Sequence, residues 1–467
     1  MRPQAPSGSV PATSHPRASP RPSIRTGPGS GLNLGWHELL QLLDQLGLAE
    51  GPGSQLPGTG GACRWRRTGP ADPLDDQSAN NRTAMSDTPN GAPHAASSGT
   101  KRKVIIDTDA GVDDAVAILS ILRSDNCDLQ AITTVDGNAA LAQCTANVRT
   151  LLAIDRERYG HIPIYPGAAG PLIQQEDYFK ELWDGMGSDG FGGCRHLYEA
   201  ELADEIAQVQ VMDEHAASAL VRLAKANPGI TLIALGPLTN VAMAIRLDPQ
   251  FLTYVDQVFI MGGTILGKGN ANRTAEFNFY CDPEAAHVVF TSSTKHSTAD
   301  HQKLVLSPWE LTMETAFEWT QLDAIIAHAQ TNVWAKFLQR ITSTLSKLYR
   351  AQSTVSAGPS DMIAQLAAPP RHDIYAPQVR AGGQAYMLLC DTAATFPVTI
   401  PEAVTRSFTC HAEIELAGRH SRGMLCLEWY PFVDVTKQKY PANVEIITNM
   451  NLDLLVQEMN RIFEKQD

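Results

Sequence analysis

Val104-Ile105-Ile106-Asp107-Thr108-Asp109-Ala110-Gly111-Val112-Asp113-Asp114, running on as Ala115-Val116-Ala117-Ile118-Leu119, reads as a buried strand, a turn crowded with carboxylates and the first turns of an apolar helix. Residues two apart share a strand face, so Asp107 and Asp109 point the same way. Asp113 and Asp114 open the helix, where the positive end of the dipole favours negative charge. Four like charges this close repel one another, and a hard, oxygen-liganded cation such as Ca²⁺ or Mg²⁺ removes the repulsion. The alternative for such a loop is a solvated acidic turn with Asp113 as a helix cap. A strand end feeding a helix is where open α/β sheets take ligands, which favours a metal site.

Working outward, the residues after Lys101 alternate strands with helices, the pattern of a largely parallel sheet covered on both faces. Strands are expected at 129–135, 162–165, 230–235, 258–261 and 304–306. Most of them end in a glycine or polar cluster: Asp136-Gly137-Asn138, Gly236-Pro237-Leu238-Thr239-Asn240, and Gly262-Gly263 followed by Asn270, Asn272, Glu276 and Asn278. That places the clusters on one rim, the carboxyl edge of the sheet, where a single pocket can use all of them. Trp183 to Gly193 is a glycine-rich candidate site loop. The segment from Glu310 to Tyr349 reads as mainly helical, residues 367–383 as a Pro/Gly-rich candidate lid, and Asp391 as the start of a further apolar helical run.

Residues 1–100 differ from the rest, being rich in Pro, Gly, Ser and Ala, and are expected to be a disordered leader ahead of a catalytic domain at 101–467. Only 34–48, with Trp36, Leu39, Leu40, Leu43 and Leu46, has amphipathic helical spacing. Arg2, Arg17, Arg21 and Arg25 precede the first acid, as in an organelle transit peptide, though the prolines oppose the helix such peptides form. A start at Met85 would lose nothing foldable.

Of the 467 residues, 43% are hydrophobic and 19% charged, a globular composition, and the formal charge of -13 offers no basic face for nucleic acid. The eight cysteines form no C-x-x-C pair, which points away from a zinc knuckle or disulfide framework and toward a reducing, cytoplasmic setting. No apolar run approaches the ~18 residues that cross a bilayer, so no membrane partner is expected.

Taken together, the acidic motif Ile106 to Ala115, Ile132 to Asn138, Ala234 to Asn240, Met261-Gly262-Gly263, Ala275-Glu276-Phe277-Asn278 and Cys281-Asp282-Pro283-Glu284 resemble, in this order, the inosine-uridine-preferring nucleoside hydrolases. The similarity runs from about Lys103 to at least Gly423. It implies an open, mostly parallel α/β sheet with helices on both faces, Ca²⁺ as cofactor, and hydrolysis of the N-glycosidic bond of a ribonucleoside substrate. Carried over by motif, Asp109, Asp114, Asp391 and the main-chain carbonyl of Leu235 hold calcium, and Asp109 is also the general base. Asp113, Asn138 and Asn278 take the 2′- and 3′-hydroxyls, Asn270 and Glu276 the 5′-hydroxyl, and Asp107 orients its neighbours. The resemblance also raises a homo-oligomer, without an interface signature in the sequence.

The sequence departs from the family where the leaving base is protonated. Cys390 stands before Asp391 and Met186 before Gly187, positions where a histidine is common. Cys390 is therefore a candidate acid as well as a candidate packing residue. Aromatic stacking by Trp183 or Trp309 is the other route, with His372 and Tyr375 weaker candidates, and it leads to an expected purine preference. Two other readings compete: a nucleoside-binding protein with weakened catalysis, and an Asp-x-Asp phosphohydrolase of the haloacid dehalogenase type. Because the leader lacks a packable pattern, deletion of residues 1–84 is expected to leave melting temperature and activity unchanged; loss of folded, active protein on truncation would place the leader in the fold.

Overall fold

The computed structural model describes residues 100–173, 186–187, 189–347, 386–428 and 440–464. The leader up to residue 99, Trp183, and the 367–383 stretch with His372 and Tyr375 lie outside the described residues.

The strands are β1 (Arg102–Thr108), β2 (Cys127–Thr134), β3 (Ile164–Pro166), β4 (Ile230–Ala234), β5 (Val255–Met261), β6 (Leu304–Ser307), β7 (Phe317–Glu318), β8 (Tyr386–Met387), β9 (Val404–Cys410), β10 (Ala412–Ile414), β11 (Leu425–Leu427) and β12 (Val444–Met450). Eight of them form one sheet in the order β3-β2-β1-β4-β5-β6-β12-β9. Neighbours in it are parallel except β12 and β9, which run antiparallel. From β1 the chain builds outward to β3, then returns and builds the other way from β4 to β6. The switch point therefore falls between β1 and β4, and the crevice outside the strand ends there is the place for a ligand.

Alternation along β1 explains why both faces are covered. Val104 and Ile106 belong to a buried layer with residues of the helices Val112–Leu122, Leu141–Ala153 and Leu452–Glu464. Ile105, between them, belongs to the opposite layer with residues of Ala216–Ala226, Thr239–Leu247 and Pro283–Ser293. A strand buried on both sides reads as a continuous apolar run, which is how Val104-Ile105-Ile106 is written.

The fold class matches the expectation, with differences in detail. The expected helical stretch after residue 310 includes the helices Trp309–Glu314, Trp319–Ile326 and Val333–Ile341, with β7 between the first two. No strand is expected after Asp391, yet β9 to β12 all lie there. β9, with the sequence VTRSFTC, is a sheet edge with only Cys410 fully buried, so it lacks the apolar alternation that marks a strand. β12 fills the space between β6 and β9.

The carboxyl edge is tied across three strands by Asn240, fully buried at the start of the Thr239–Leu247 helix. Its Nδ2 donates to Asp107 Oδ1 (2.8 Å) and to the Thr134 carbonyl (2.9 Å), and its Oδ1 accepts from the Ala168 amide (2.9 Å). Asn240→Ala leaves the Ala168 amide beyond β3 without its acceptor and strips one of the two donors from the buried Asp107 Oδ1 on β1. It is expected to lower unfolding free energy by about 2–4 kcal/mol in urea denaturation, and a loss near zero would show that the edge does not depend on it.

Candidate active site

The acidic turn joins β1 to the Val112–Leu122 helix. Ala110 has φ of 49°, the left-handed region, and is alone in this among the described non-glycine residues. Its amide donates to Thr108 Oγ1 (3.0 Å), and its carbonyl accepts from Asn147 Nδ2 (3.0 Å). This reversal brings Asp109 back toward the helix start. There Gly111 is the N-cap, and its amide donates to Asp114 Oδ2 (2.8 Å) while Thr108 Oγ1 donates to Asp114 Oδ1. Both oxygens of Asp114 are thus held. Asp109 Oδ2 accepts from the Asn138 amide (2.7 Å), and Asn138 Nδ2 donates to Asp114 Oδ2 (3.3 Å). Among the described residues, the buried Oδ1 atoms of Asp109 and Asp113 have no hydrogen-bond partner.

Glycines make this packing possible. A Cβ at Gly137 would lie 2.1 Å from Asp109 Oδ2, so no larger residue fits behind that carboxylate.

Across the rim, Leu235 follows β4, and its amide donates to the Asp107 carbonyl (2.8 Å). Asn278 Nδ2 donates to the Leu235 carbonyl (2.7 Å) and to the Met261 carbonyl (3.2 Å). Glu276 caps the short Phe277–Cys281 helix: its Oε1 accepts from the Asn278 amide (2.9 Å), and its Oε2 from the amides of Gly263 (2.8 Å) and Phe279 (3.3 Å). Asn270 is half-buried in the loop between them. Asp391 precedes the buried helix Thr392–Thr399, which Ser120 Oγ anchors through Thr395 Oγ1 (2.9 Å) and Ser307 Oγ through the Ala393 carbonyl (2.7 Å).

The electrostatics are those of acids short of counter-charge. Burial first, then the charge of Asp114, holds Asp109 and Asp391 well above the usual carboxylate range. The same two causes push Asp113 up to about 7. Asp107 also rises to about 7 through burial, although Thr133 and Asn240 donate to it. Oxygens of Asp113, Asp114 and Asp391 lie within 4.8 Å of one another, the span across one cation whose ligands sit at about 2.4 Å. All-oxygen donors, mutual repulsion and two orphaned buried oxygens fit a hard divalent cation.

Asp109, Asp113, Asp114, Asn138, Leu235, Glu276 and Asn278 thus stand at the carboxyl ends of β1, β2, β4 and β5 or on the segments beyond, and Asp391 joins them from the start of the Thr392–Thr399 helix. The tight acid triple contains Asp113, which the resemblance gives to ribose, and not Asp109, whose carboxylate is turned to the Asn138 amide. Cys390 is half-buried, with its thiol against Asp113 and Thr312; burial and the Asp113 charge hold it well above the usual thiol range. Trp309 is 7% exposed and packs in the core. Trp183 lies outside the described residues. Sequence reasoning missed Thr108, Asn147 and Glu310. The only signal for Asn147 is a polar residue on a buried helix face.

Site and sheet together define an α/β protein with a buried carboxylate cluster at the switch point of a parallel sheet. The family model described as inosine-uridine preferring nucleoside hydrolase matches residues 104–457, and the chain belongs to that family. It is 33% identical over 264 residues to the inosine-uridine preferring nucleoside hydrolase of Crithidia fasciculata, covering 55% of this chain and 75% of that protein. To probable uridine nucleosidase 1 of Oryza sativa subsp. japonica it is 38% identical over 191 residues, 41% of this chain and 55% of that protein. The chain spans about half the length of the first curated relatives it matches. A solved inosine-guanosine nucleoside hydrolase superposes with a TM-score of 0.64 at 29% identity, over 79% of this chain and all of that one.

Burial raises Glu276 from 4.5 to about 7 against the three amides that favour its charge. The folded protein therefore keeps a proton that the unfolded chain releases, and stability from this group is lost as pH rises through that interval. Glu276→Gln is expected to flatten the fall in melting temperature there by up to about one proton's worth of slope. Asp107 and Asp113 titrate in the same range, so the readout is the difference between the two proteins; parallel curves would refute the assignment.

Proposed function

We propose that this chain hydrolyses the N-glycosidic bond of ribonucleosides to ribose and free base with Ca²⁺ as cofactor. The observation that carries the reading is the buried acid triple Asp113, Asp114 and Asp391, with Oδ1 of Asp113 and of Asp109 left without a partner among the described residues, on a chain of the nucleoside hydrolase family. The carboxylates of Asp109, Asp114 and Asp391 and the carbonyl of Leu235 would hold the cation. When bound, it supplies the charge that orients a sugar diol and acidifies water.

The protein's own residues do the rest. Asp109, fixed through Oδ2 by the Asn138 amide, has Oδ1 left to take a proton from water as general base. Asp113, Asn138 and Asn278 bind the 2′- and 3′-hydroxyls, and Asn270 and Glu276 the 5′-hydroxyl. The carboxylates stabilise positive charge developing on the ribosyl ring. The hydroxyl of water joins C1′, the bond to the base nitrogen breaks, and the base leaves with a proton. Cys390 keeps its proton at neutral pH, which makes it a donor in place but a weak acid.

With no histidine at positions 186 or 390, base departure depends more on the ring system itself, and we propose purines as the favoured substrates. A relative in structure named for inosine and guanosine supports this, while curated relatives named as uridine nucleosidases make uridine the decisive competitor.

Asp109→Ala is expected to cut kcat/KM for inosine by at least ~10²-fold with the fold retained by circular dichroism. Chelation should abolish ribose release and Ca²⁺ restore it. Near-normal release from either would sink the mechanism, and binding without release would favour a nucleoside-binding role. In the same assay, a higher kcat/KM for uridine than inosine rejects the purine preference, and an unchanged Cys390→Ala returns the thiol to packing.

A further inference from the structure

The short helix Trp309–Glu314 follows β6 at the same edge of the sheet as the site. Its entry is fixed by the Trp309 amide, which donates to the Gly263 carbonyl (2.9 Å). Glu310, in its first turn, reaches into the loop that follows β5. Its Oε1 accepts from Thr264 Oγ1 (2.6 Å) and the Leu266 amide (2.9 Å), and its Oε2 from the Ile265 amide (3.0 Å). Thr264 Oγ1 in turn accepts from the Lys268 amide (3.2 Å). One carboxylate therefore gathers donors from three consecutive residues, and a fourth residue is tied through the first.

That loop leads directly to Asn270 and closes at Glu276, whose Oε2 accepts from the Gly263 amide at the loop's start. None of Glu310's hydrogen bonds reaches the elements carrying Asp109, Asp114 or Asp391. Charge-assisted bonds to a carboxylate are among the stronger ones, and here they fix backbone rather than another side chain.

We infer that Glu310 is a positioning residue that shapes the pocket for the sugar's 5′-hydroxyl and makes that hydroxyl a requirement for efficient turnover. The inference rests on the reading of Asn270 and Glu276 as the 5′-hydroxyl partners. It separates from a plain loop staple because a staple would weaken all substrates alike. A site built around a hydroxyl loses discrimination against the analogue lacking it when its donors and acceptors are displaced.

The test compares inosine with 5′-deoxyinosine in wild type, Glu310→Ala, Glu310→Gln and Asn270→Ala, with hydrogen exchange measured on the full chain. The ratio of the two kcat/KM values should fall roughly tenfold in Glu310→Ala, toward that of Asn270→Ala, and less in Glu310→Gln, which keeps one acceptor oxygen. Exchange should rise over residues 263–270 and stay unchanged over 104–116. If Glu310→Ala is not soluble, the Gln variant gives the same comparison. A wild-type ratio in the Glu310 variants, while Asn270→Ala changes it, overturns the inference alone. An unchanged ratio in Asn270→Ala, or no turnover of inosine by wild type, overturns the site reading and the inference with it.

Discussion

The structure is organised around carboxylates that have been taken out of water without a basic side chain, among the described residues, set between them. Asp107, Asp109, Asp113, Asp114, Asp391 and Glu276 are all buried, and the strongest charge acting on Asp109, Asp113 and Asp391 is that of Asp114. An isolated buried carboxylate either takes up a proton or finds compensation, and the fold supplies part of it with dipoles: Thr133 and Asn240 on Asp107, Thr108 and the Gly111 amide on Asp114, and three amides on Glu276. Among the described residues, Asp107 Oδ2 and the Oδ1 atoms of Asp109 and Asp113 are left without partners.

How much of this is legible in the sequence depends on whether a signal is local. β1 to β6 are written as apolar runs ending in glycine or polar clusters, and each cluster lands on the carboxyl edge as its position demands. The strands after Asp391 are not legible. β9 is an edge strand with an arginine and two threonines on exposed positions, and it is a strand because β12 is beside it. The acids of the site are legible because like charges at that density need a reason. Asn147, Thr108 and Glu310 are not, because a single polar residue carries no signal until its partner across the fold is seen.

The glycines lie between these cases. Gly137 reads in the sequence as a turn residue, and turn geometry alone would accept an asparagine or aspartate. Only the structure shows that the space for its side chain is taken by the Asp109 carboxylate. Gly236, on the other side, would bring a Cβ to 3.0 Å from the same carboxylate. One aspartate is thus flanked by two chain segments from different strands. That fixes its position without spending a hydrogen bond on its second oxygen.

The same economy governs the turn itself. A non-glycine residue in the left-handed region costs about 1–2 kcal/mol, so Ala110 keeps that conformation only because its surroundings impose it. The imposing groups come from one helix. Cys144 Sγ donates to the Asp109 carbonyl (2.8 Å) and Asn147 Nδ2 to the Ala110 carbonyl (3.0 Å), and residues three apart lie on one helical face. Asn147 Nδ2 also donates to the Asp189 carbonyl (3.0 Å), which links the acidic turn to the glycine-rich segment. Neutral donors thus grip two successive carbonyls and bend the backbone without using the Asp109 carboxylate. A lysine or arginine would grip the turn as well but would neutralise the acids that the turn exists to present, and a thiol and an amide do not.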